Sequence, residues 1–271
     1  MSSENSTMYF PPIPPAPPLE PLLVNKPLIT NYTSPKDPQE ELLEARDKLR
    51  LREGLKEAPR ILSYKYVAPI LQDGPKCGLV ALCMASYFTP HPISVDHLYE
   101  VARLQGYTNL GEMFSVDFMA ALVRHTFQPC PQVEILHQGL QDKENVLRHI
   151  QNGSLLLVPP VRAKITLDLD CINSYDADGN HSPCCRWGHK AHWAIVSGAL
   201  QSQDSCYLLA RQGKSRHLGV WLYEEVRLSN QNLEELDPGR VMDGHTYVLP
   251  PGGVAAGLQG QAILLHGMSL D

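Results

Sequence analysis

The chain has 271 residues, 23 Lys plus Arg against 29 Asp plus Glu for a formal charge of −6, and 43% hydrophobic residues, the composition of a folded protein with one sizeable core. The acidic balance argues against a nucleic-acid or anionic-membrane surface as the main partner, and no run approaches the roughly 18 apolar residues of a membrane span. No basic n-region or apolar h-region precedes the first prolines, and the seven cysteines, an odd number, read as reduced thiols; both point to the cytosol.

Ten of the 23 prolines fall in the first 40 residues, and Pro11 to Pro18 reads PPIPPAPP, a polyproline II tail. Residues 1–37 lack Gly, Cys and any apolar period, so they are expected to be disordered alone and to act as a spacer or as a ligand for an aromatic-lined groove. Asp37-Pro38-Gln39-Glu40 is a helix start, with Asp as N-cap and Pro at N1. Leu42, Ala45, Leu49 and Leu55 continue an amphipathic helix and linker over 38–63, broken at Pro59. The folded domain is expected to occupy 64–271.

Gly78 to Phe88 is apolar on almost every face and predicts a buried helix. Ser94, Ser115 and Asp142 each precede stretches with helical spacing, the last closed by Gly153. From Ser154 onward the runs Leu155–Val158, His192–Val196, Tyr207–Ala210, Val220–Tyr223 and Thr246–Leu249 are β-type. This predicts an α+β order, a helical half followed by an antiparallel sheet.

The chemistry concentrates in two strings. Gln72-Asp73-Gly74-Pro75-Lys76-Cys77-Gly78 ends in a turn that places Cys77 at the N-terminus of the buried helix, where unpaired N–H groups favour a thiolate. Gly78 leaves the sulfur approachable, and the Gln72 amide stands close enough to help the Cys77 N–H bind an oxyanion. Cys83, mid-helix, reads as structural. His189-Lys190-Ala191-His192-Trp193-Ala194-Ile195-Val196 supplies a base: His192 opens the strongest strand signal in the chain, the position from which an imidazole reaches a thiol across a cleft.

These residues carry a resemblance. Gln72 with Cys77-Gly78 before a buried helix, then His192-Trp193 opening a strand, resembles the papain-like cysteine peptidases, in particular the bacteriocin-processing C39-like branch. Over essentially its full length, proline-rich head included, the chain resembles the actin maturation protease family. The resemblance implies a papain-like fold and a cysteine aminopeptidase that removes the acetylated N-terminal residue of immature actin. It requires no cofactor, and with the polyproline run it implies profilin as a partner. Papain-like enzymes orient the histidine with an Asn or Asp after the next strand; here that place holds only Gln212, a departure from the pattern: its amide oxygen can accept an imidazole N–H as Asn does, but on a longer side chain with a different angle, or it is an ordinary strand-end glutamine.

Other readings stay open. Cys171, Cys184, Cys185, His189 and His192 fall within 22 residues and could form a zinc site, although no C-x-x-C pair brackets them. Asp168, Asp170, Asp176 and Asp178 read as a solvated loop. A decayed core that recruits partners through its tail is the alternative function. Lys76, Arg186, Lys190, Arg211, Lys214 and Arg216 flank the two strings and predict a basic rim that attracts an acidic substrate segment, with Gly78 and Trp193 also against the substrate.

Overall fold

In the computed structural model, the structure describes residues 37–160, 182–185, 187, 189 and 191–269; the proline-rich tail, Cys171, Arg186 and Lys190 lie outside them. Helix α1 (Pro38–Arg52) starts as its sequence dictates: Asp37 accepts the Gln39 N–H at 2.8 Å and Pro38 stands in the first turn. Strand β1 (Arg60–Tyr64) follows, then α2 (Cys77–Ser86), α3 (Val95–Leu104), α4 (Val116–Thr126), β2 (Gln132–Leu136), α5 (Lys143–Gln151) and β3 (Leu155–Val158). After the undescribed stretch come β4 (Ala194–Gln201), β5 (Cys206–Gln212), β6 (Gly219–Leu222), α6 (Tyr223–Gln231), α7 (Pro238–Val241), α8 (Gly253–Leu258) and β7 (Ala262–His266).

The strands form one antiparallel sheet in the order β2-β7-β3-β4-β5-β6, with β1 also pairing with β4. Alternation along β3 sorts the core. Leu155 and Leu157 face α2, α3 and α4 with Ile195, Ile263 and Leu265, whereas Leu156 and Val158 face α5 and α6 with Val146, Ile150 and Tyr223. The β4 register slips by one residue at Ser197, a bulge that reverses which face its side chains take. Ala194 and Val196 precede the bulge and pack with α5; after it the odd-numbered Ala199 holds that face, and Leu200 turns to Leu42 and Leu49 of α1. Gly198, beside the bulge, lets the β1 backbone at Ser63 and Tyr64 pass where a Cβ would collide. At the β2 edge, His266 bridges Ser154 Oγ (2.8 Å, Nδ1) and Glu134 (2.9 Å, Nε2), tying three neighbouring segments together.

Three differences from the sequence reading have physical causes. Residues 38–63 hold the expected helix and also join the sheet: β1 pairs with β4, and Glu41 of α1 takes a bidentate bond from Arg211 of β5 at 2.9 and 2.5 Å. Thr246–Leu249 is not a strand, because its groups serve the loop; the Thr246 carbonyl accepts Asn109 Nδ2 at 2.8 Å and Tyr247 packs edge-on to Phe114. Strands β1, β2 and β7 escape a reading that divides the chain into a helical and a strand half. No described helix is long and apolar enough to cross a membrane.

Candidate active site

The turn before α2 is anchored from below. The Gln72 N–H donates to the Gly213 carbonyl at 2.8 Å, Gly74 adopts φ +67°, and α2 then enters the core with every residue from Gly78 to Ser86 buried. Cys77, its first residue, stays half-buried. Lys76 occupies the N-cap position without a side-chain cap bond, because an ammonium has no acceptor to offer; it pairs with Asp96 (3.5 Å) and lies 4.8 Å from the Tyr99 ring centre. The N-cap side chain therefore takes none of the first N–H groups of α2, and the Gly78 N–H is directed at the Cys77 sulfur.

The start of β4 closes onto this terminus. The His192 N–H donates to the Pro160 carbonyl at 2.9 Å, and His192 is 6% exposed. The next residue fixes the approach: the Trp193 indole N–H donates to the Met113 carbonyl at 2.8 Å, and the Trp193 backbone N–H is directed at the Cys77 sulfur. Between the two lies a cleft of about 350 Å³ lined by Gln72, Cys77, His192, Trp193 and Lys214 among others. The structure thus brings together Cys77, His192 and Gln72, and Gln212 is at the same end of the sheet, opposite Ala194 in the ladder. Gln212 is 3% exposed, with Nε2 buried and unbonded among the described residues. The Gln72 side chain donates to the Gly74 carbonyl at 2.5 Å, which leaves its second amide hydrogen available.

Several expectations change. Burial pushes the Cys77 thiol up, not down; the Trp193 and Gly78 N–H groups and the charges of Arg240 and Lys214 oppose this only in part. Gly78 is not an opening for substrate, since a Cβ there would lie 3.0 Å from the Trp193 ring and 3.2 Å from Met113; its missing side chain makes room for that packing. The basic rim shrinks. Lys76 is turned to Asp96, and Arg211, 0% exposed, spends its donors on Glu41 and on the carbonyls of Val67 (3.0 Å) and Arg216 (2.7 Å). Lys214 remains in the cleft.

Residues that the sequence reading did not single out complete the walls: Glu112, Phe114, Glu235, Asp237 and Arg240. Asp237-Pro238 repeats the Asp37-Pro38 helix start, with Asp237 accepting the Gly239 N–H at 2.8 Å, and that signal could have located the Arg240 helix. The wall is braced by Trp187, held at φ 57° by Asn232 Oδ1 on its N–H (2.7 Å) and by the Glu234 and Glu235 N–H groups on its carbonyl. His189 pairs with Glu235 at 2.6 Å, and among the described residues no group of three His, Cys, Asp or Glu side chains is arranged for a metal ion.

Comparison with known proteins adds a second line of observation. The family described as actin maturation protease-like, C-terminal domain, matches residues 67–200. The actin maturation protease of Mus musculus is 39% identical over 237 residues, 72% of this chain and 61% of the relative. That of Danio rerio is 37% identical over 250 residues, 78% of this chain and 76% of the relative, and that of Homo sapiens is 38% identical over 237 residues, 72% and 63%. The chain therefore spans about three fifths of the mammalian relatives and three quarters of the fish one.

Proposed function

The chain belongs to the actin maturation protease family, and we propose that it is a papain-like cysteine aminopeptidase that removes the acetylated N-terminal residue of immature actin in the cytoplasm. The observation that carries this reading is the meeting of Cys77 and His192, from distant parts of the chain, in one cleft beside uncapped N–H groups.

Since burial favours the neutral thiol, its proton passes to His192 as attack begins, not beforehand. The sulfur adds to the carbonyl carbon of the acetylated residue. The resulting oxyanion accepts the Cys77 N–H and the spare Gln72 amide hydrogen. Collapse breaks the C–N bond, and His192 returns the proton to the departing amine of the next residue. Water then cleaves the thioester, releasing the N-acetylated amino acid and restoring the thiol. Gln212 steadies His192. An adaptor with an idle core draws no support from relatives named for a protease.

The polyproline run from Pro11 to Pro18 is read as a ligand for profilin, which delivers actin. Incubating immature actin with the wild type and with Cys77→Ala, and reading the mass of the actin N-terminus, tests the reaction; turnover by a folded Cys77→Ala protein would sink it. Deleting residues 1–37 tests the delivery: it should raise the concentration of profilin-bound actin needed for half-maximal cleavage and leave cleavage of a short peptide unchanged.

A further inference from the structure

Glu112, in the loop between α3 and α4, lines the cleft with Cys77 and His192, yet its side chain is only 9% exposed. Its Oε1 accepts from Arg240 Nη1 at 2.8 Å. Its Oε2 is buried and has no hydrogen-bond partner among the described residues. Arg240 is fixed as well, its guanidinium 5.5 Å from the Phe114 ring centre and 5.3 Å from that of Tyr247. A carboxylate oxygen buried without a donor is destabilising, and a donor on a bound ligand is one way to satisfy such an atom at a cleft.

We infer that Glu112 Oε2 accepts an N–H from the substrate, and that the Glu112–Arg240 pair selects polypeptides whose first residue is N-acylated. This rests on the peptidase reading of the same cleft. The charge arithmetic chooses the donor. Arg240 already neutralises Glu112, and Lys214 adds a second cation to the cleft, so a free α-ammonium finds no unbalanced negative charge at the pair. The other two carboxylates of the cleft keep their charge but are held by other groups, Glu235 by His189 and Asp237 by the Gly239 N–H, so the neutrality is local to the Glu112–Arg240 pair. An acylated terminus offers one neutral amide N–H, which matches one remaining oxygen. Met113, Phe114 and Leu258 line the same cleft, and apolar walls strengthen a hydrogen bond made between them.

The test uses three peptides of one sequence: acetylated, acetoxy (the first N–H replaced by oxygen, with no added bulk) and free amine. The wild type should cleave the acetylated peptide roughly 10-fold or more faster than the acetoxy one, the range for a hydrogen bond to a charged group, and should cleave the free amine more slowly than the acetylated peptide. Glu112→Gln should abolish the acetyl–acetoxy difference. Its amide oxygen would be taken by Arg240, and its NH2 would then face the substrate N–H, donor against donor. Equal wild-type rates on the acetylated and acetoxy peptides, or full discrimination by Glu112→Gln, would overturn the assignment. If Glu112→Gln does not fold, the wild-type comparison decides alone. Calorimetric binding of the same peptides to Cys77→Ala separates the two ideas. Discrimination in binding without wild-type cleavage would leave the Glu112 role standing and remove the peptidase reading; equal binding with intact cleavage would do the reverse.

Discussion

Helices α3, α4 and α5 begin on Ser94, Ser115 and Asp142, whose side-chain oxygens accept the His97, Phe118 and Asn145 N–H groups at 3.2, 3.2 and 3.0 Å. Helix α2 begins on Lys76, which offers no acceptor. The three capped helices are amphipathic, α4 and α5 packing one face against the sheet and α3 against α2 and α4; α2 is buried all round, on β4 and β5. A cap stabilises a helix by consuming the donors of its first turn. Helices α6 and α8 also lack a side-chain cap; what sets α2 apart is that its uncapped start lies at the cleft, with the Gly78 N–H directed at the Cys77 sulfur.

The largest effect should come from removing that sulfur. Cys77→Ala should eliminate turnover with the melting temperature little changed, since alanine suits a helix start, and any residual cleavage by the folded variant would mean that the bare terminus of α2 serves another purpose. Next is Glu41→Gln, which strips the buried Arg211 guanidinium of its carboxylate and should cost about 3 kcal/mol of stability, read from a urea midpoint. Residual activity below the new midpoint should be normal, because this pair joins α1 to β5 and stands apart from the cleft. His192→Asn should lower kcat/KM by roughly 100-fold or more, and Gln212→Ala by less. Equal losses for the two would make Gln212 a full member of the catalytic set.

The capped helices were legible because their information is local: a Ser or Asp, three residues, then apolar spacing. The place of Cys77 at the start of α2 was legible for the same reason, whereas His192, expected to open a strand, stands two residues before β4. Arg211 was misplaced because its role is set by Glu41, which the chain brings to it from α1; a cation read alone looks like a surface cation. Glu112 and Arg240 were invisible for the same reason, since neither is distinctive until the other faces it at 2.8 Å. Thr246–Leu249 had strand-forming side chains and no strand to pair with, whereas Ala262–His266 had two. The direction of the Cys77 shift was wrong because helix position was weighed and desolvation was not.

The two thiols of α2 offer a gentler test of burial. Cys83 has only the Val95 N–H to offset desolvation and is pushed up to about 12, so the folded protein keeps its proton where the unfolded chain loses it near pH 8.5. The stabilisation is complete below that value and is lost as pH rises towards the folded pKa, at up to ~1.4 kcal/mol per pH unit. Between about pH 8.5 and 9.5, before tyrosines of the unfolded chain titrate, Cys83→Ala should flatten the fall of the urea midpoint. An unchanged slope would show that Cys83 is not desolvated.

The smallest expected effect bears most directly on the contrast between capped and uncapped termini. Ser94→Ala should lower stability by about 1 kcal/mol, the usual loss for a capping hydroxyl, and Ser94→Asp should restore it. Neither should alter kcat on a peptide, because α3 starts outside the cleft. Lys76→Ala has no cap to lose; it gives up an ion pair whose Asp96 partner is 89% exposed and the contact with the Tyr99 ring, and it should change stability by about 1 kcal/mol or less. Thermal melts and peptide kinetics on the three variants give the answer together. Were Lys76→Ala to destabilise more than Ser94→Ala, α2 would be held at its start by a contact equivalent to a cap, and its uncapped start would no longer distinguish it from α3.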